Sequence, residues 1–318
     1  MSSKKFRVIA QYILLVFLTF SIVRYFLSNK DHLMSISHIQ WFDALVLIFL
    51  TLLINVLNAL KAFLLLRNAG LREVRFTEWL EIFFASRLIN MHLAQGGLVY
   101  RGIKLKRNFG FPYTKTAALS IFLVWIESIW VLAGAAVVIF FYSKPIPWGR
   151  YQMLILVCLA ELVLVMGPSL IVRILSRFQS KLKGSIRTSL LRWHSEAGEM
   201  LKNSGGVKNV IFLTFITLIL QIIWTEFSFY SLAIPTDWLQ TVMFVVMLYL
   251  SAFVRLTPGN FGLQEALCGM VSNLAGHDFG NGVNVSVMSR MISYLTFILY
   301  GAVIFLPGRA WEKIKRKV

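Results

Sequence analysis

Charge is what this sequence has least of. Only 14% of its 318 residues are Asp, Glu, Lys or Arg, against roughly a quarter in ordinary soluble domains, while 58% are hydrophobic. A water-soluble fold has no way to hide that much apolar surface, so the scarcity excludes a soluble enzyme and makes lipid the solvent. Acidic residues are scarcer still, 14 against 32 basic ones, for a net charge of +18. That excess does not point to nucleic acid, because the basic residues stand between long apolar runs and not on a folded polar face. The placement suits anionic lipid headgroups. Cysteine is nearly absent: Cys158 and Cys268 lie far apart in apolar stretches, with no disulfide or metal spacing. The five histidines are scattered, so neither a metal site nor a cofactor is expected. Gly-x-Ser-x-Gly, His-Glu-x-x-His and P-loop patterns are missing. There is no low-complexity linker and no soluble domain, so residues 1–318 read as one integral membrane domain.

What is there is a series of apolar runs near the 20 residues a helix needs to cross hydrocarbon. They fall at about 8–27, 41–66, 116–141, 151–172, 210–233, 238–256 and 284–306. The first follows Lys4, Lys5 and Arg7; it is too long for a signal-peptide core and lacks a small-residue cleavage site, so an uncleaved span is expected. Lys and Arg concentrate at the N-terminus, in 61–115, in 173–208 and in the tail from Arg309, which together hold 26 of the 32. The positive-inside rule puts those regions, and both chain ends, in the cytoplasm. Seven crossings would strand the basic tail outside, so an eighth is required, and 257–276 is the stretch available. All four aspartates, Asp31, Asp43, Asp237 and Asp278, then fall on or near the outer side. The expectation is an all-α polytopic protein of the cytoplasmic membrane with about eight crossings.

Two stretches resist regular helix. Residues 257–276 open with Thr257-Pro258-Gly259-Asn260-Phe261-Gly262. Residues 78–97 are apolar but interrupted by Glu81, Arg87, Asn90 and His92 and end at Gln95-Gly96-Gly97; with basic residues on both sides they read as re-entrant. Irregular backbone at membrane depth survives where protein or a water-filled cavity satisfies its polar groups, so both breaks point to a cavity. Residues 173–204 differ: Phe178, Leu182, Ile186 and Leu190 recur every four residues with Arg177, Lys181, Lys183, Arg187 and Arg192 on other faces. That pattern is a basic amphipathic cytoplasmic helix on the inner leaflet, or simply a connector.

Ionisable groups inside spans are costly and usually face a bundle interior. Glu127, Glu161, Glu226 and Glu265 qualify, with Arg255 and Arg290 as cationic counterparts and Arg87 in the re-entrant stretch. Each glutamate could serve only as an ion pair fixing helix packing; Glu265, a turn after the Pro-Gly break, leans towards function. Where a helix restarts at a break, its free N–H groups and dipole attract an anion, and Gly259, Gly262 and Gly97 allow close backbone approach. Arg101, Lys104, Lys106 and Arg107 follow at helical spacing, either to hold phosphate or merely to keep the loop inside. The candidate lipid-binding set is therefore Gly97, Arg101, Lys104, Arg107, Glu127, Arg255, Pro258, Gly259, Gly262 and Glu265.

Two motifs carry a resemblance. Gly97–Arg101 followed by Lys104-Leu105-Lys106-Arg107-Asn108-Phe109-Gly110, and Pro258-Gly259-Asn260-Phe261-Gly262-Leu263-Gln264-Glu265, resemble the glycine-then-arginine loop and the Pro-Gly-x-x-Gly-x-x-Glu signature of the lysylphosphatidylglycerol synthase transmembrane-region family. This is the flippase-like part of multiple peptide resistance factor, and the chain resembles a stand-alone member. Ser128 stands where members often carry the Arg of a Glu-Arg pair, and Leu98 where an acidic residue often follows the loop glycine. The family's aminoacyl-transferring domain has no counterpart here. The resemblance implies flippase-like handling of an anionic phospholipid or polyprenyl-phosphate-linked lipid in cell-envelope biogenesis, with membrane lipids as partners. Two other readings stay open. One is a membrane glycosyltransferase or lipid-modifying transferase that uses Asp31 and Asp43. The other is an accessory subunit of envelope-biosynthesis enzymes.

Overall fold

The computed structural model describes residues 39–93, 95–142, 150–178, 204–253 and 260–315. Among them the chain is helical and without strands: α1 (Trp41–Asn68), α2 (Phe76–His92), α3 (Gly96–Phe109), α4 (Tyr113–Phe141), α5 (Arg150–Phe178), α6 (Ser204–Ser231), α7 (Trp238–Phe253), α8 (Leu263–Ala275) and α9 (Phe279–Lys315). The span expected at 8–27 and most of the amphipathic segment at 173–204 lie outside the described residues.

α1, α4, Gly206–Ser231 of α6 and Phe279–Gly301 of α9 are long and apolar enough to cross a bilayer. The 28 residues of α1 reach about 42 Å at 1.5 Å per residue, more than the ~30 Å hydrocarbon thickness. Their outward faces carry large apolar side chains in the open: Phe49, Phe140, Phe212 and Ile298 are all more than half exposed, as are Ile155 and Leu159 on α5. Such a belt is stable against lipid tails and costly against water. The chain is an all-α, multi-pass membrane protein.

The interior divides into two apolar layers stacked along the bundle. One, at the end where the basic connections gather, is built from Ala59, Leu65, Trp79, Phe83, Leu105, Ile126 and Val210. The other, at the opposite end, is built from Leu47, Trp224, Phe229, Phe244, Val271, Val285 and Met288. Indole N–H groups pin helices across these layers. Trp79 donates to Ala59 O at 2.8 Å, Trp224 to Leu47 O at 3.2 Å, and Trp125 to Leu164 O at 2.8 Å. At the far end, the Tyr142 hydroxyl donates to Leu274 O at 2.6 Å. Burial, with the charge of Asp237 behind it, raises that phenol's pKa and keeps it a donor.

Two helical hairpins fill what the long helices leave. α2 and α3 are antiparallel, as shown by residue 97 lying beside residues 86 and 90 and by Arg101 lying over the Phe83 ring. At 17 and 14 residues they extend about 25 and 21 Å, too short to span. The chain reverses through an extended Leu93 and a left-handed Gln95 at φ 61°. The close approach that Gly97 permits is to α2, since a Cβ there would lie 2.0 Å from Ser86 O.

The second hairpin is α7 and α8. Gln240 near its open end donates to Ala275 O at 3.1 Å, and Asn260 near its apex donates to Ser251 O at 2.6 Å. Within the stretches 238–256 and 257–276, read from the sequence as a crossing and a broken crossing, the described helices α7 and α8 of 16 and 13 residues thus run antiparallel as one hairpin. The chain returns to the end it left. α8 then crosses α9 tightly, where a Cβ on Gly282 would meet Cys268 O at 2.1 Å, the small-residue packing typical of membrane helices.

Candidate functional site

Between the two apolar layers, at mid-depth, lies a cavity of about 350 Å³. α1 contributes Thr51, Ile54, Asn55 and Asn58, which repeat at three- and four-residue intervals and so share one face. The tip of the first hairpin brings Arg87, Asn90 and Met91, and α8 of the second brings Gln264 at its first turn. Gln221 and Trp224 of α6, Leu248 and Tyr249 of α7, and Ser289, Arg290, Ser293 and Phe297 of α9 complete the wall. Arg87 is exposed, so the cavity reaches the molecular surface there. The hairpins enter from opposite ends, and both interruptions abut this one space.

Glu265 organises the second interruption. Gly262 holds φ at 84°, a conformation that favours glycine, and its N–H donates to Glu265 Oε2 at 2.7 Å. The same carboxylate receives Arg290 through Nε and, at 3.3 Å, through Nη2. Ser286 approaches its other oxygen at 3.4 Å. Glu265 is 1% exposed and Arg290 14%, so the guanidinium is carried to the cavity wall on a buried counter-charge. It also lies 5.2 Å from the centre of the Phe261 ring, a cation–π distance.

A second pair, its lysine buried and its glutamate a quarter exposed, sits one turn nearer the basic end. Lys61 Nζ lies 2.9 Å from Glu127 Oε1 and donates to Thr217 Oγ1 at 3.2 Å. Lys61 follows Asn58 by three residues and Thr217 precedes Gln221 by four, so this cluster underlies the cavity floor without joining its lining. The Glu127 counterpart is Lys61, not an arginine.

The remaining sequence candidates are dispersed. Gly97 is buried at the hairpin tip, its N–H donating to Asn90 Oδ1 at 2.7 Å. Arg101 lies over Phe83 and Lys104 over the Tyr100 ring at 5.8 and 5.9 Å, and Arg107 is exposed. None of these four lines the cavity. Gly262 and Glu265 adjoin it through Arg290. Arg255, Pro258 and Gly259 lie outside the described residues. Glu226 is exposed and accepts from Thr241. Among the described residues no group of three His, Cys, Asp or Glu comes together.

The uncharged part of the lining is absent from the sequence candidates. Asn55, Asn58, Asn90, Gln221 and Gln264 are carboxamides inside apolar helices, and the spacing Asn55-x-x-Asn58 on a span was the available signal. A search for ionisable groups alone passes over them.

A family model described as Lysylphosphatidylglycerol synthase TM region matches residues 8–301. No curated protein and no solved structure matches the chain.

Proposed function

This chain belongs to the lysylphosphatidylglycerol synthase TM region family, and on that premise we propose that it carries the headgroup of an anionic lipid through the mid-depth cavity, from one leaflet of the cytoplasmic membrane to the other. The observation that supports this most is a polar cavity with two arginines held between two dry layers. A phosphate crossing hydrocarbon loses its hydration at a cost of many kcal/mol. Arg87, Arg290 and the carboxamides replace part of that hydration shell, while the acyl chains stay in the bilayer. The hairpin tips stand on opposite sides of the headgroup, so displacing one or the other opens the cavity to one leaflet at a time. The basic connections then lie on the cytoplasmic side.

The test is reconstitution into liposomes containing a headgroup-adjacent fluorescent phosphatidylglycerol, with a membrane-impermeant quencher reporting leaflet exchange. Wild-type protein should accelerate exchange over protein-free vesicles. Arg290→Gln should abolish most of that acceleration, whereas Arg107→Gln, on the exposed face of α3, should leave it intact. Exchange at the protein-free rate with folded wild-type protein would refute the reading.

A further inference from the structure

We infer that the carried lipid enters and leaves the cavity sideways, through the seam between α2 and α9. Its acyl chains rest on Leu88, Met291 and Ile298 outside that seam, and the His92–Tyr294 contact is the latch that must part. The inference rests on the reading that the cavity receives a lipid headgroup, and it concerns the route and the surface that holds the chains.

The seam follows from which side chains share a face. On α2, Arg87 and Met91 line the cavity, while Phe84, Leu88 and His92 recur every four residues on the adjoining face. On α9, Arg290, Ser293 and Phe297 line it, and Met291, Tyr294 and Ile298 recur at three- and four-residue intervals beside them. Aromatic contacts join the two helices. Phe84 stacks on Tyr300 with ring centres 3.6 Å apart and meets Phe297 edge-on at 5.7 Å. About two turns further along α2, His92 meets Tyr294 edge-on at 5.7 Å. Arg87 and Leu88 fall between these two closures, and both are exposed.

The two closures are unequal. Phe84 and Phe297 are buried in the apolar layer at the basic end, whereas His92 is exposed on the last turn of α2. The chain reverses just beyond it, through extended Leu93 and left-handed Gln95. α9 is the anchored partner, since Glu265 holds Arg290 and Gly282 packs against Cys268 of α8. Phe84 is therefore the pivot and the His92 end of α2 the part that swings, which opens the seam at the depth of the cavity. A lipid suits both sides of that opening. Its phosphate meets the polar wall within, and its chains meet Leu88, Met291 and Ile298, which are exposed on the outer rim and adjoin the mouth at Arg87. A free phosphate has no use for the apolar rim.

The experiment uses the full chain in liposomes and has two arms. In the first, a phosphatidylglycerol with a photoreactive diazirine on its acyl chain is included as a minor component, and the labelled peptides are mapped by mass spectrometry. Labelling around Leu88 and across residues 291–298 should exceed that around Phe49 and Phe212, which are also exposed, by at least about fivefold. Arg290→Gln should bring the seam down to the level of those other faces. In the second arm, His92→Cys with Tyr294→Cys, in a Cys158→Ser background, is bridged by a short bis-methanethiosulfonate. The bridge should slow leaflet exchange at least about tenfold, and a reductant should restore it, which also shows that the variant is folded. Trp130→Cys with Phe215→Cys, a ring pair 4.9 Å apart between α4 and α6, should exchange lipid normally when bridged in the same way. Full exchange with the 92–294 bridge complete, or seam labelling no greater than at Phe49 and Phe212, overturns the inference. Seam labelling without exchange in the wild type sinks the transport reading alone, and exchange with uniform labelling sinks this inference alone.

Discussion

The two ion pairs found among the described residues, Glu265–Arg290 and Lys61–Glu127, look alike on paper and occupy different situations. Glu265–Arg290 straddles the cavity wall: the acid is sealed inside and the base is delivered to the polar space. Lys61–Glu127 lies in the layer beneath, its lysine 1% exposed, linked to Thr217 and absent from the lining. The side chains themselves differ in the same sense. Arginine engages one carboxylate through two nitrogens and still presents a planar fork elsewhere, whereas lysine is a point charge that a single partner nearly satisfies. A buried charge pair can therefore brace a fold or brace a site, and position relative to the cavity distinguishes the two.

The largest effect is expected at Glu265. Glu265→Ala strands Arg290 and removes the acceptor of the Gly262 N–H, so unfolding in detergent should come earlier by about 3–5 kcal/mol. Melting at the wild-type temperature would break the claim that this pair braces the site. Arg290→Lys keeps the charge but loses the two-point contact; about 1–3 kcal/mol of stability should go, together with most of the leaflet exchange. A variant that exchanges lipid normally would place Arg290 with the bracing residues instead. Gly97→Ala probes the first hairpin. Its new Cβ meets Ser86 O, and prising α3 from α2 should cost about 1–3 kcal/mol, visible as faster proteolysis near residue 95. The smallest effect is expected from removing the deeper pair whole. Lys61→Met with Glu127→Leu substitutes apolar side chains for both charges and should change stability by less than about 1 kcal/mol, with exchange retained. Loss of exchange in that folded double variant would erase the distinction between the pairs.

Much of the architecture was legible from hydropathy because lipid imposes it. Runs of apolar residues became α1, α4, α6 and α9 within a few residues, since the bilayer fixes helix length. The two interruptions were legible too, from Gln95-Gly96-Gly97 and the sequence around Gly262, because glycine and proline punctuate helix whatever surrounds them. What the pattern does not encode is which helices pair. Residues 238–251 form an apolar helix shorter than the four candidate spans, and the contacts of Gln240 with Ala275 and of Asn260 with Ser251 set it antiparallel to α8. In the site, the cost of charge in lipid singled out Glu265 and offered Arg255 and Arg290 as counterparts, and the structure pairs it with Arg290. Lys61 did not, because it sits at the edge of a basic cluster and reads as part of it. The carboxamides carry no charge and so escape that reasoning altogether.

The stacking of two apolar layers above and below a polar-lined chamber has a bearing on the membrane itself. A continuous thread of water through the bundle would let protons run down whatever gradient the cell maintains. Trp79, Phe83 and Leu105 on one side and Phe229, Phe244 and Met288 on the other set packed apolar side chains across such a route, and the charge of Lys61 in the lower layer is balanced by Glu127. On the proposed function, a molecule built this way would take a headgroup into the hydrocarbon without opening a path for water from one face to the other.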